Sequence, residues 1–199
     1  DAQLAHAGAA GEVAAVTGVY KNGDVNVRGK VIPAADLVHG FDGWLPLQAA
    51  AALALDAALS AVLEAHPAAA AVTVDAGDKT PLHLAASAGS GAKALSILLD
   101  ANAAACLALD ATQKTPFDLI PGKNRGTVLT GVIEAVTTPE ALQVLLQYSA
   151  DRDLLDHCKA LVERGANPDL ASATDDRTPR EIGKGSAKLR EYFKLLGRS

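Results

Sequence analysis

Four short segments of this chain repeat one another. They are Asp42-Gly-Trp-Leu-Pro-Leu-Gln-Ala-Ala, Asp78-Lys-Thr-Pro-Leu-His-Leu-Ala-Ala, Gln113-Lys-Thr-Pro-Phe-Asp-Leu-Ile and Asp176-Arg-Thr-Pro-Arg-Glu-Ile-Gly. Their prolines fall at 46, 81, 116 and 179, so two spacings are 35 residues and the last is 63, a little under twice that. A period near 35 residues is the length of one two-helix unit. A unit of that kind cannot bury its apolar face alone and must stack on its neighbours.

The second segment shows the local logic. Thr80 is placed to cap a helix by accepting from a first-turn amide. Pro81 then occupies the first helical position, where a missing N–H costs nothing. Leu82, Leu84, Ala85 and Ala86 predict a short apolar helix ending near Gly89. A second helix is expected over Ala92–Asp100, burying Ala94, Leu95, Leu98 and Leu99 on one stripe. Residues Val72–Asp78 supply an extended arm and a turn.

The string TPLHLAASAG at 80–89 resembles the first-helix signature of the ankyrin repeat. Other parts resemble the family more loosely. Residues 9–16 followed by 22–26 are similar to a first repeat, 161–169 to a second-helix ending and finger, and 178–196 to a closing cap. The resemblance implies an all-α fold, an ankyrin-repeat α-solenoid of stacked helix–turn–helix units with short finger loops and degenerate terminal repeats. One domain of 1–199 is expected, with units near 2–41, 42–77, 78–112, 113–137, 138–174 and 175–199.

Departures from the pattern are informative. Leu45 and Gln48 replace the Thr and His of the signature, and Asp118 replaces the His again. Pro67 is expected to stop the helix before it. Pro121-Gly122 is expected to cut a first helix short, leaving Lys123–Arg125 as a basic loop, and Val27–Phe41 reads as an enlarged loop. On the last helix Lys184, Lys188, Arg190, Glu191 and Lys194 make a polar outer face, with Leu189, Tyr192, Phe193, Leu195 and Leu196 expected inward.

Composition excludes several classes. The chain has 199 residues, 49% of them apolar but only 4% aromatic, and a net charge of −5. That balance gives no overall basic field for nucleic acid. Residues 1–100 carry five basic and ten acidic side chains, whereas 176–199 carry seven basic and three acidic. Cys106 and Cys158 stand alone without CxxC or Cys/His spacing, so no zinc framework is expected and both read as small buried hydrophobes. Lone thiols fit a reducing intracellular compartment. The chain begins at Asp1 and contains no Met, which reads as a removed presequence or the interior of a longer protein. The expected location is therefore the cytoplasm or, after presequence removal, an organelle such as a chloroplast or mitochondrion. The most apolar run, 49–63, is too short to span a bilayer.

Candidate chemistry is sparse. His83, Ser87 and Asp75 could in principle form a hydrolytic triad, but no oxyanion-hole motif accompanies them. In its setting His83 reads instead as a structural imidazole, so His83→Gln is expected to cost about 1–3 kcal/mol of stability. His6, His39, His66 and His157 lack ligand spacing. The aspartates at 75, 78, 110, 169, 175 and 176 are spread among fingers and read as turn formers, not as a calcium loop. Gly89-Ser-Gly91 is a turn, not a phosphate loop. Trp44 and Phe41 read as packing or as interface anchors.

The expected function is a non-enzymatic protein–protein interaction module, with no catalytic residue, metal or cofactor and no nucleic acid partner. The resemblance implies contacts on the concave groove and finger tips. Mapped onto this chain these are Arg28, Trp44, Gln48, Ala76, Lys79, Ser87, Ala88, Ala111, Lys114 and Arg177. The alternative is a permanently bound structural subunit or assembly component of a large organelle complex, which would show a broad apolar outer surface.

Overall fold

The structure, a computed structural model, describes residues 16–19, 25–27, 30–32, 46–73, 77–171 and 176–197. Nine α-helices occur among them. They are α1 (Pro46–Ala52), α2 (Asp56–Ala65), α3 (Pro81–Ser87), α4 (Ala92–Ala101), α5 (Gly122–Ala135), α6 (Pro139–Asp151), α7 (Leu155–Glu163), α8 (Pro179–Ile182) and α9 (Ala187–Leu196). Short 3-10 turns cover Pro67–Ala71, Ala103–Cys106, Pro116–Leu119 and Gly183–Gly185.

Every regular element described from residue 46 onward is helical, in keeping with the all-α expectation. Residues 16–32 add something that expectation did not contain. Strands β1 (Val16–Val19), β2 (Val25–Val27) and β3 (Lys30–Ile32) form an antiparallel sheet in the order β1-β2-β3. Val25 pairs with Ile32 and Val19 with Val25, and the register slips between Val16 and Gly18. Residues 9–15 of the first repeat lie outside the described residues, and the enlarged loop expected over 27–41 begins as strand at Val27 and Lys30–Ile32. The reason is visible in the residues. Valine recurs on both sides of Asn22-Gly23, and Asn-Gly between β-branched runs is a strong hairpin signal.

The helices form antiparallel pairs whose like members pack on each other. Within pairs, α1 packs on α2, α3 on α4, and α6 on α7. Between pairs, α1 packs on α3, α3 on the 116–119 turn, and α6 on α8; on the other side α2 packs on α4 and α4 on α5. One contiguous apolar core runs through them, from Leu47 to Phe193. The stripe Ala94, Leu95, Leu98 and Leu99 is buried as the helical period requires. Gly89, at φ +76°, makes the left-handed residue in the α3–α4 turn. In the corresponding α1–α2 and α6–α7 turns, Ala54 and Asp153 take that conformation at φ 53° and 56°.

Proline opens most first helices. Thr80, Thr138 and Thr178 cap α3, α6 and α8, each accepting from a first-turn amide and each followed by Pro. In the third pair the first helix is reduced to the 116–119 turn, because Pro121 cannot continue it. The expected basic loop at Lys123–Arg125 is instead the first turn of α5. Arg125 explains why. Its guanidinium donates to the carbonyls of Asp118 and Ile120 at 2.9 and 3.2 Å, satisfying the end of the shortened turn.

Asp100, at the end of α4, fastens the start of α6. Its carboxylate accepts from the N–H and hydroxyl groups of both Thr137 and Thr138, at 2.7–3.0 Å. In α9, Leu189 and Phe193 are buried, whereas Leu195 is 59% exposed and does not face inward as expected. It lies two residues, about 200° of helical rotation, from Phe193.

Helix α5 crosses α4 closely at Gly131, where a methyl group would sit 2.8 Å from Ala92 Cβ. Gly131→Ala is therefore expected to destabilise the protein by about 1–3 kcal/mol through overpacking, although alanine is the better helix former. Gly126 on the same helix has nothing within 4 Å of such a methyl, so Gly126→Ala should stabilise by about 1 kcal/mol. Urea melts of the two variants check this pair. Equal effects would contradict the close crossing.

Candidate functional site

The third position of α1, α3, the 116–119 turn and α8 carries a different polar residue each time, and each does a structural job; in α6 the position is Ala141. Gln48 in α1 is fully buried and its side-chain amide donates to Val72 O at 3.0 Å. His83 in α3 is also fully buried. Thr80 N–H donates to its Nδ1 at 3.2 Å, and the Thr80 hydroxyl stands 2.8 Å from the same nitrogen. Its Nε2 lies 3.1 Å from Lys114 O, an acceptor, so Nε2 carries the proton and the ring is the neutral Nε2–H form. Asp118, one unit further, accepts from Thr115 N–H and O–H at 3.2 and 2.8 Å and from Arg152 at 2.7 Å. Gln48, His83 and Asp118 thus tie their unit to residues 24 to 34 positions ahead. Glu181 in α8 only closes its own capping box with Thr178.

Burial lowers the His83 pKa, with the Lys114 carbonyl and Asp110 pulling weakly the other way. Protonating Nδ1 would also turn it against the Thr80 N–H that points at it. Such an imidazole is a poor general base, being held on both sides. Ser87, four residues on, donates its hydroxyl to Leu84 O at 3.0 Å instead of to the ring. Asp75, the third member considered, lies outside the described residues.

Of the expected contact residues, Arg28, Trp44 and Ala76 also lie outside the described residues. Gln48 is not available to a partner, because it is buried and engaged with Val72. The fingers at 77–79 and 110–114 are brought side by side by Ala111 N–H, which donates to Gly77 O at 2.9 Å. That contact collects half-buried Lys79 and exposed Ala111 and Lys114 on neighbouring fingers. Asp110 shapes the second finger, accepting from Thr112 N–H, the Thr112 hydroxyl and Lys114 N–H at 2.7–3.0 Å. The hydroxyl of Thr112 and the amide of Lys114 hold its carboxyl below the usual carboxylate range. Ser87 and Ala88 are exposed at the far end of α3, about 9 Å along the helix. Arg177 is exposed in the last finger.

A second surface feature had no counterpart in the sequence reading. Helix α5 meets α7 more loosely than it meets α4, and the two leave an open groove of about 1020 Å³. His157 crosses it. Thr130 donates its hydroxyl to Gly126 O at 3.0 Å, so it accepts from His157 Nε2 across the groove at 3.1 Å. Partial burial lowers the His157 pKa, against the pull of Asp156. Gly126, which lines the groove, and Gly131, which faces α4, obscured α5 in the sequence, since glycine is a poor helix former.

Both cysteines are free and fully buried, and burial pushes the Cys158 thiol up to about 12. Among the described residues, no group of three or more His, Cys, Asp or Glu side chains is arranged to hold a metal, and no helix is long and apolar enough to cross a membrane.

No family model matches the chain, and no curated protein matches it significantly in sequence.

Proposed function

We propose that this chain is an ankyrin-type helical solenoid that works as a non-enzymatic protein-binding module, its partner seated on the finger row and the first-helix side. The observation that carries this reading is the division of labour among its polar groups. Gln48 is spent on closing its own helix pair, and His83 and Asp118 on tying successive units together, while Lys79, Ala111 and Lys114 lie exposed or half-buried on neighbouring fingers. A short residue such as Ala111 on a finger row that alternates Asp78, Lys79, Asp110 and Lys114 leaves a shallow shelf of mixed charge on which an extended stretch of a partner can lie.

The same division argues against a hydrolase, since Ser87 and His83 hydrogen-bond elsewhere. It also favours a module over a permanently embedded subunit. The exposed large apolar side chains described, Leu53, Val72, Leu109, Leu170 and Leu195, sit on five different segments. Isolated apolar side chains are normal for a protein surface, whereas an obligate interface is broad and apolar.

Site-specific photo-crosslinking in the source cell tests the reading. A photoreactive residue at Ala111 or Lys114 should trap one recurrent protein. The same residue at Lys93, whose side chain is 76% exposed on α4, should not. Recurrent trapping at Lys93 alone would contradict the placement, and no trapping at any position would contradict the function.

A further inference from the structure

The groove between α5 and α7 is a built opening, distinct from the finger row. Its long dimension along α5, from Gly126 to Glu134, is about 12 Å, or roughly two helical turns. Gly126 and Ala160 keep the walls low, and Leu154 and Leu155 supply apolar surface. The volume, about 1020 Å³, exceeds what one side chain fills; it reaches the upper end of the roughly 300–1,000 Å³ spanned by ligand pockets.

Its charge is one-sided. Glu134, Asp153 and Asp156 line it, and all three are exposed. Lys188, from α9, is the one lysine or arginine among the lining residues. Asp156 has a contact to Lys159, but at 3.9 Å and with 97% of its side chain exposed; a pair of that kind neutralises little. Burial lowers the His157 pKa, and its Nε2 is engaged with Thr130. Acidic walls reject phosphate backbones and anionic lipid surfaces, and they attract cations.

We infer that this groove is a second docking site, and that its occupant is a short lysine- or arginine-bearing segment of a partner protein, helical, with one apolar turn laid against Leu154, Leu155 and Gly131. A helix of two turns fits the length, and an amphipathic helix in a groove presents its apolar side chains on one face while its flanking cations reach the rim. The rim carboxylates set the choice of partner and the encounter rate.

The test uses the full chain and a fluorescein-labelled dodecapeptide of leucine, alanine and lysine with a helical leucine stripe, beside its counterpart with glutamate at every lysine position. Fluorescence anisotropy should show binding of the lysine peptide only, weakening as salt rises. Amide resonances of Gly126, Gly131 and Thr130 should shift, and those of Ala111 and Lys114 should not. The triple variant Glu134→Gln, Asp153→Asn, Asp156→Asn should bind about tenfold more weakly, since each exposed pair contributes modestly. Lys188→Ala removes the opposing cation and should tighten binding about two- to threefold; a gain of this kind cannot arise from misfolding. Equal binding of both peptides, shifts centred on the fingers, no change in either variant, or no binding at millimolar peptide would each overturn the proposal.

Discussion

Phe117→Ala is expected to lower unfolding stability by about 3–5 kcal/mol, the range for emptying a large aromatic site in a core. Phe117 is fully buried in the four-residue turn that replaces a first helix in the third pair. A turn this short has little backbone hydrogen bonding of its own, so its place in the stack depends on what its side chains touch. The Phe117 ring lies 5.3 Å from that of Tyr148 in α6, tilted by 44°. Tyr148 is itself 2% exposed, with the Arg152 guanidinium 5.6 Å from its ring. Phe117 therefore joins the α3 side of the stack to the α6 side, at the point where the repeat spacing is broken. Natural domains hold only about 5–15 kcal/mol in total, so the variant should be marginal at ambient temperature. Urea unfolding by circular dichroism measures it. A loss under about 1 kcal/mol would mean that the shortened turn is anchored by something else.

His83→Ala should cost about 2–4 kcal/mol, combining lost packing with the buried Thr80 N–H left unpaired, while Lys114 O keeps only its bond from Asp110 N–H. His83→Gln should cost less, about 1–3 kcal/mol, because an amide can still donate forward, as Gln48 does to Val72. The pH dependence identifies the residue more sharply. The pKa of His83 is lowered on folding, mainly by burial. Its unfolded form takes up a proton near pH 6.5, while the folded form resists it. Stability from this group is therefore complete above about pH 6.5 and falls as pH drops toward the lower folded value. His157 adds to the same limb for the same reason. A second limb belongs to carboxylates. Burial raises the pKa of Asp100, but its bonds from Thr138 and Thr137 outweigh that and leave it lowered. Its contribution is present above the ordinary aspartate value and is lost as pH falls through the folded one. In His83→Gln the loss of stability between pH 7 and 5 should shrink, with the acid limb near pH 4 unchanged. An unchanged upper limb would contradict the buried neutral imidazole.

The parts of this fold that could be read from sequence are those where local and tertiary preferences agree. At 80–101 the cap, the proline, the glycine turn and the apolar stripe all point the same way, and α3 and α4 follow them. Elsewhere one preference overrides another. Three glycines disguise α5, whose start depends on Arg125 reaching back to Asp118 and Ile120 and whose middle depends on close contact with Ala92. The strands within 16–32 fall where the repeat resemblance predicts no sheet, because their valine pattern pairs locally and owes nothing to the repeat period. Gln48 occupies the position of His83, and that position is buried, so its structural role was available by analogy within the chain itself. The groove at α5 and α7 depends on how two helices separate, which no local pattern encodes.

Hydrogen–deuterium exchange, on the free chain and on the complex purified with it from its source, tests the central claim most directly. The account expects slow exchange through the buried helices in both forms, with partner-dependent protection added in the fingers around 77–79 and 110–114. Protection confined to the outward faces of α2 and α4, with the fingers exchanging as in the free chain, would contradict it.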